Sequence, residues 1–97
     1  MDRFQVAENA RYLGETWGGY FTGVTEDYGW AKRQMETRFM KYLHEYKDMN
    51  PSVSMGRMCC KLSFDGGDFI EVVIHNLTQE EKGNEKYKCE EDSCLGM

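Results

Sequence analysis

The stretch Met58-Cys59-Cys60-Lys61-Leu62-Ser63-Phe64-Asp65-Gly66-Gly67-Asp68-Phe69-Ile70-Glu71-Val72-Val73-Ile74-His75 decides the fold. Two β-rich runs flank an Asp-Gly-Gly-Asp turn, which predicts a hairpin with strands over 58–64 and 69–75. The loop length follows from register. A two-residue loop at Gly66-Gly67 sets Asp65 against Asp68 and Leu62 against Glu71, both unfavourable pairs. A three-residue loop over 65–67 sets Leu62 against Ile70, Cys60 against Val72 and Met58 against Ile74. It also sets Lys61 against Glu71 on the other face. One face is then uniformly apolar (Met58, Cys60, Leu62, Phe64, Ile70, Val72, Ile74) and the other gains an ion pair. Gly67 supplies the left-handed residue that such a turn requires.

An apolar sheet face needs a cover, and the region before the hairpin provides one. Over 26–48, Tyr28, Ala31, Met35, Phe39, Tyr42, Leu43 and Tyr46 recur at steps of three and four. That spacing puts all seven on one stripe of a helix. Arg33, Thr37, Lys41, His44 and Asp48 fall on the opposite side. Thr25 is the expected N-cap, with Glu26 and Asp27 at the positive end of the helix dipole. Asn50-Pro51 ends the helix, because the residue before proline avoids helical backbone angles.

Further toward the N-terminus, Trp17-Gly18-Gly19-Tyr20 predicts a second tight hairpin. A two-residue loop there pairs Thr16 with Phe21, Gly14 with Gly23 and Leu13 with Val24, and the facing glycines leave a shallow dent in the sheet. Residues 3–10 read equally as strand or short helix. The expected architecture is therefore α+β: an antiparallel four-stranded sheet of two hairpins packed on one long amphipathic helix, in the order β-β-α-β-β. Residues 1–78 form the single domain and 79–97 an acidic polar tail.

Composition narrows the functional classes. The 97 residues carry 12 basic and 17 acidic side chains, a net charge of −5. Six of the acids and three lysines lie in 79–97, leaving 11 acids and 9 bases in 1–78. A general phosphate-backbone binder or an anionic-lipid binder shows a basic excess instead. No apolar run approaches the roughly 18 residues that span a bilayer. The first eight residues are too polar for a signal peptide, so the expected location is cytoplasmic.

Chemistry-bearing residues are few. Cys59 and Cys60 are adjacent on a strand and point to opposite faces, so they do not share a metal. Cys89 and Cys94 lack the two-residue spacing of a zinc knuckle and are expected as free thiols. Cys59 and His75 share the outer face of the hairpin, but no third member or oxyanion hole accompanies them. Asp65, Asp68 and Glu71 could gather a cation, yet Asp-Gly-Gly-Asp is also what a tight turn prefers. The expectation is a protein that is not an enzyme and has no metal and no cofactor.

Misplaced apolar side chains are the strongest functional signal. Trp30 and Met40 lie off the helix stripe, Phe69 falls on the outer face of the hairpin, and Trp17 and Tyr20 have no assigned core position. Exposed aromatics mark partner surfaces, since Trp and Tyr dominate binding hot spots. The candidate partner-binding residues are Trp17, Tyr20, Trp30, Met40, Asp65, Asp68, Phe69 and Glu71. The expected function is a small, acidic, non-catalytic protein-binding module. Its size and charge are those of phage or mobile-element inhibitors of host defence, of the anti-CRISPR kind, whose acids engage a nucleic-acid-binding complex. The alternative is a single-stranded nucleic-acid-binding module that stacks bases on sheet aromatics. Uncovered sheet edges also make a homodimer an expectation.

Overall fold

The structure, a computed structural model, describes residues 1–78; the tail assigned to 79–97 lies outside the described residues. Among the described residues the fold is α+β, with one long α-helix and a five-stranded antiparallel sheet. The elements run β1 (Phe4–Tyr12), β2 (Glu15–Tyr20), α1 (Tyr28–Tyr46), β3 (Ser52–Met55), β4 (Cys59–Ser63) and β5 (Phe69–Asn76). In space the strands order β2-β1-β5-β4-β3. The sheet thus has one strand more than the four expected, and the order is β-β-α-β-β-β.

The β4–β5 hairpin has the register argued from its sequence. Leu62 opposes Ile70, Cys60 opposes Val72 and Lys61 opposes Glu71. The Ile74 amide donates to the Met58 carbonyl at 2.8 Å, extending the same register. Both Gly66 (φ 82°) and Gly67 (φ 88°) take left-handed backbone angles, so the turn uses two glycines where the sequence predicts one.

The N-terminal hairpin differs from expectation. Its turn is at Leu13-Gly14, both with positive φ (51° and 84°), and Gly18-Gly19 lie inside β2. Tyr12 opposes Glu15, Ala10 opposes Trp17 and Ala7 opposes Tyr20. The reason lies in residues 4–12. Phe4, Val6 and Ala10 alternate inward and are buried. β1 therefore pairs on its other side with β5, setting Val6 against Ile74 and Ala10 against Ile70. A turn at Gly18-Gly19 would withdraw this run from the centre of the sheet. Gly14 and Gly23 accordingly do not face each other.

Helix α1 covers one face only. Ala31, Met35 and Phe39 are fully buried against Val6, Cys60, Leu62, Ile70 and Val72, with Tyr28, Tyr42, Leu43 and Tyr46 packed at the margin. That is the predicted stripe on the predicted face. The helix starts two residues later than expected and its cap is Asp27, not Thr25: Asp27 Oδ1 accepts from the Trp30 amide at 3.0 Å. Thr25 is held elsewhere, exchanging backbone hydrogen bonds with Phe4 (2.7 and 2.9 Å), so its backbone belongs to the sheet edge. At the other end Asn50 (φ 54°) turns the chain out of the helix ahead of Pro51.

Candidate functional site: the outer face of the sheet

Alternation along the strands gives the outer face its residues. β1 contributes Gln5, Ala7, Asn9 and Arg11, β2 contributes Tyr20, β4 contributes Cys59 and Lys61, and β5 contributes Phe69, Glu71, Val73 and His75. No described element packs over this face in the way α1 packs over the other.

Two aromatic positions anchor it. Near one end, the Tyr20 side chain is 50% exposed, and its ring meets the His75 ring edge-to-face at 5.5 Å. Toward the other end, Phe69 sits between Ser63 and Arg11 across the ladders. The Lys61 ammonium lies 5.1 Å from the centre of the Phe69 ring, a cation–π contact. The Arg11 guanidinium reaches along the strand to donate to the Gly67 carbonyl at 3.0 Å. Phe69 is therefore an aromatic platform with a cation on each side. Glu71 is next to it but only 6% exposed, and Asn9 Nδ2 donates to its carboxylate at 3.4 Å. Its charge supports the face from within and does not project from it.

The eight sequence-predicted site residues fall into three groups. Tyr20, Phe69 and Glu71 share the outer face. Asp65 and Asp68 flank the β4–β5 turn; Asp65 is exposed, and Asp68 Oδ2 accepts from the Leu13 amide at 3.1 Å, tying the two hairpin turns together. Trp17, Trp30 and Met40 lie on the helix side. Trp17 packs against the core, and its indole Nε1 donates to the Tyr42 hydroxyl at 3.2 Å. Trp30 is half-buried beside an open depression shared with Gly23, Val24, Thr25 and Asp27. Met40 stands 49% exposed on the solvent side of the helix. The sheet separates the first group from the third.

One polar cluster goes beyond the expectations drawn from sequence. Glu8 lies on the helix-covered face and accepts from the Tyr42 hydroxyl at 2.8 Å, and Arg38 Nε stands 3.1 Å from the same oxygen. The Arg38 contact is one of charge, since its buried Nε–H is aimed at no acceptor among the described residues. The guanidinium also lies 4.4 Å from the centre of the Phe21 ring. Burial pushes the Tyr42 hydroxyl above its ordinary value; Trp17's hydrogen bond opposes this and the Glu8 carboxylate adds to it. A signal for the cluster exists in the sequence: Glu8 occupies an inward position between Val6 and Ala10, which requires a partner on the helix flank. Among the described residues no group of three or more His, Cys, Asp and Glu is placed to hold a metal ion, and no helix is long and apolar enough to cross a membrane. Comparison with protein-family models, with curated proteins and with solved structures finds no match.

Proposed function

We propose that this chain is a non-catalytic protein-binding module that meets its partner with the outer face of its sheet. The observation that carries the reading is the asymmetry of the sheet: one face is closed by α1, and the other presents Tyr20, Phe69, Val73 and His75 among few charges. An aromatic patch with a polar rim is the composition of a binding surface. The finer form of the proposal is an inhibitor, of phage or mobile-element origin, acting on a nucleic-acid-handling host defence complex. It rests on small size and a net charge of −5.

A photo-reactive phenylalanine analogue placed in turn at Tyr20, Phe69 and Thr37 tests the surface in the cell of origin. Thr37 is an exposed position on the solvent side of the helix. Covalent adducts with one and the same protein from Tyr20 and Phe69, and none from Thr37, are expected. Adducts from Thr37 alone move the surface to the helix, and adducts from no position end the proposal.

The cations beside Phe69 favour a second reading, a single-stranded nucleic-acid platform, because a base can stack on the ring while Arg11 and Lys61 meet phosphates. Anisotropy titration with short single strands at low salt separates the two. Salt-sensitive binding that Lys61→Glu abolishes supports the second reading, and its absence removes it.

A further inference from the structure

The two edges of the sheet differ in a way that assigns a role to β3. The Gly56 amide donates to the Cys59 carbonyl at 2.8 Å, so Gly56 turns its backbone groups toward β4. In an antiparallel ladder the residues alternate, so Ser52 and Ser54 also face β4, while Val53 and Met55 direct both N–H and C=O to the open edge. The strand Ser52-Val53-Ser54-Met55 carries no charge and no bulge, two of the devices that keep edges from pairing; it is short and follows Pro51, but both of its outward residues keep their N–H groups. At the opposite edge, Gly19 (φ 131°) breaks the extended run of β2.

We propose that β3 pairs antiparallel with β3 of a second copy of this chain, about a two-fold axis through Ser54, so that two five-stranded sheets become one. The register follows from the groups available. Outward-facing residues must oppose one another, and Val53 against the partner's Met55 fills all four outward groups of both residues on each chain. Of the two neighbouring registers, Val53 against the partner's Val53 sets Met55 against a proline that has no N–H and leaves the Met55 carbonyl without a donor. Met55 against the partner's Met55 sets Val53 against Arg57, which lies past the end of the strand and whose carbonyl already accepts from Tyr28.

Side chains agree with this register. Val53 and Met55 lie on the helix side, opposite Leu62 and Cys60, yet remain 49% and 51% exposed because α1 lies over β1, β5 and β4. Each would be covered by the other from the second copy. The paired strands themselves carry no charge, so no like charges oppose one another along the seam. The two-fold also brings the end bearing exposed Arg57 toward the end bearing exposed Asp48. Tyr28 fixes the geometry beforehand, its hydroxyl donating to the Arg57 carbonyl at 2.6 Å. Both helices would lie on one side of the joined sheet and both outer faces on the other, so the pairing doubles the proposed binding face and does not depend on it.

The test combines light scattering with cysteine cross-linking on the full chain. Opposed Ser54 residues form a non-hydrogen-bonded pair with Cα atoms about 4.5 Å apart, inside the range a disulfide spans. Under mild oxidation Ser54→Cys should form a covalent dimer bridged at position 54, identified by peptide mapping. Ser52→Cys should not, because its own copy lies four residues away along the strand. Light scattering should give a concentration-dependent mass rising from 11.4 kDa toward twice that value. Val53→Pro removes an outward N–H and no bond within the chain, so it should stay folded and monomeric. A single species of monomer mass at about 1 mM, a concentration at which any dimer with a Kd below about 1 mM is substantially populated, overturns the proposal. So does a dimer that persists in Val53→Pro, or a Ser52→Cys chain that cross-links as readily as Ser54→Cys.

Discussion

Val72 and Val73 are neighbours on β5 and live in different solvents. Val72 is fully buried beneath α1, between Glu8 on β1 and Cys60 on β4. Val73 faces outward, only partly buried, between Ala7 and Cys59. The same two-residue period that builds the core therefore builds the candidate binding face, and only the position of α1 decides which is which. Hydrophobicity alone does not separate the two valines. What separates them is the stripe Ala31, Met35 and Phe39 lying over one face.

The sharpest way to break this comparison is to give both positions the same charge. Val72→Lys forfeits about 1.5–3 kcal/mol of apolar burial and adds several more for an unpaired ammonium in the core. A domain of this size is stable by only about 5–15 kcal/mol, so the variant should be largely unfolded by circular dichroism. Val73→Lys should stay folded, shifting the urea midpoint by an amount equivalent to less than about 1 kcal/mol, while removing the partner adducts expected at Phe69. Equal destabilisation of the two variants would show that something besides α1 closes the outer face.

A smaller effect tests the margin of the covered face, where a polar cluster replaces apolar contact. Tyr42→Phe leaves the Trp17 indole N–H without its acceptor and takes one donor from Glu8, at a cost of about 1–3 kcal/mol in urea unfolding. The same variant should alter alkaline unfolding. Burial holds the Tyr42 proton more tightly in the folded chain than in the unfolded chain. The unfolded chain therefore releases it first as pH rises. The stability tied to that proton is whole below about pH 10 and is lost above it. Tyr46 is raised for the same first cause, burial, with Glu45 next. Tyr42→Phe should thus flatten the fall in stability above about pH 10 without abolishing it. A stability curve that keeps its full slope in Tyr42→Phe would place the coupling in Tyr46 alone.

How much of the fold and of the site the residues alone disclose depends on the same contrast between covered and open faces. The β4–β5 register is legible because a shift of the loop by one residue opposes acids and mixes the faces. The helix stripe is legible because seven apolar residues hold one spacing. β3 is not, because Ser52-Val53-Ser54-Met55 is an edge strand with nothing buried and so leaves no alternation between core and solvent. The first hairpin misleads because Gly18-Gly19 looks like a turn, while the real turn has Leu13 at a position that Asn or Gly normally takes. For the candidate site, the outward placement of Phe69 can be read from register. The partition of Tyr20 from Trp17 cannot, since it depends on where that hairpin turns.

Leu13 supplies the smallest and most specific prediction. Its φ of 51° puts a branched side chain in the left-handed region, and the side chain is exposed, so nothing it touches offsets the strain. Left-handed backbone costs an L-residue roughly 1–2 kcal/mol. Glycine avoids that strain but loses about 0.5–1 kcal/mol in chain entropy. Leu13→Gly should therefore raise stability by up to about 1.5 kcal/mol, read as a higher melting temperature. The gain requires that the Leu13 amide still donate to Asp68, a bond glycine retains. Asp68→Ala removes that bond and should lower stability by about 0.5–1.5 kcal/mol. If Leu13→Gly is neutral only when Asp68 is absent, the two hairpin turns act as one joint, and Asp68 serves the fold before it serves any partner.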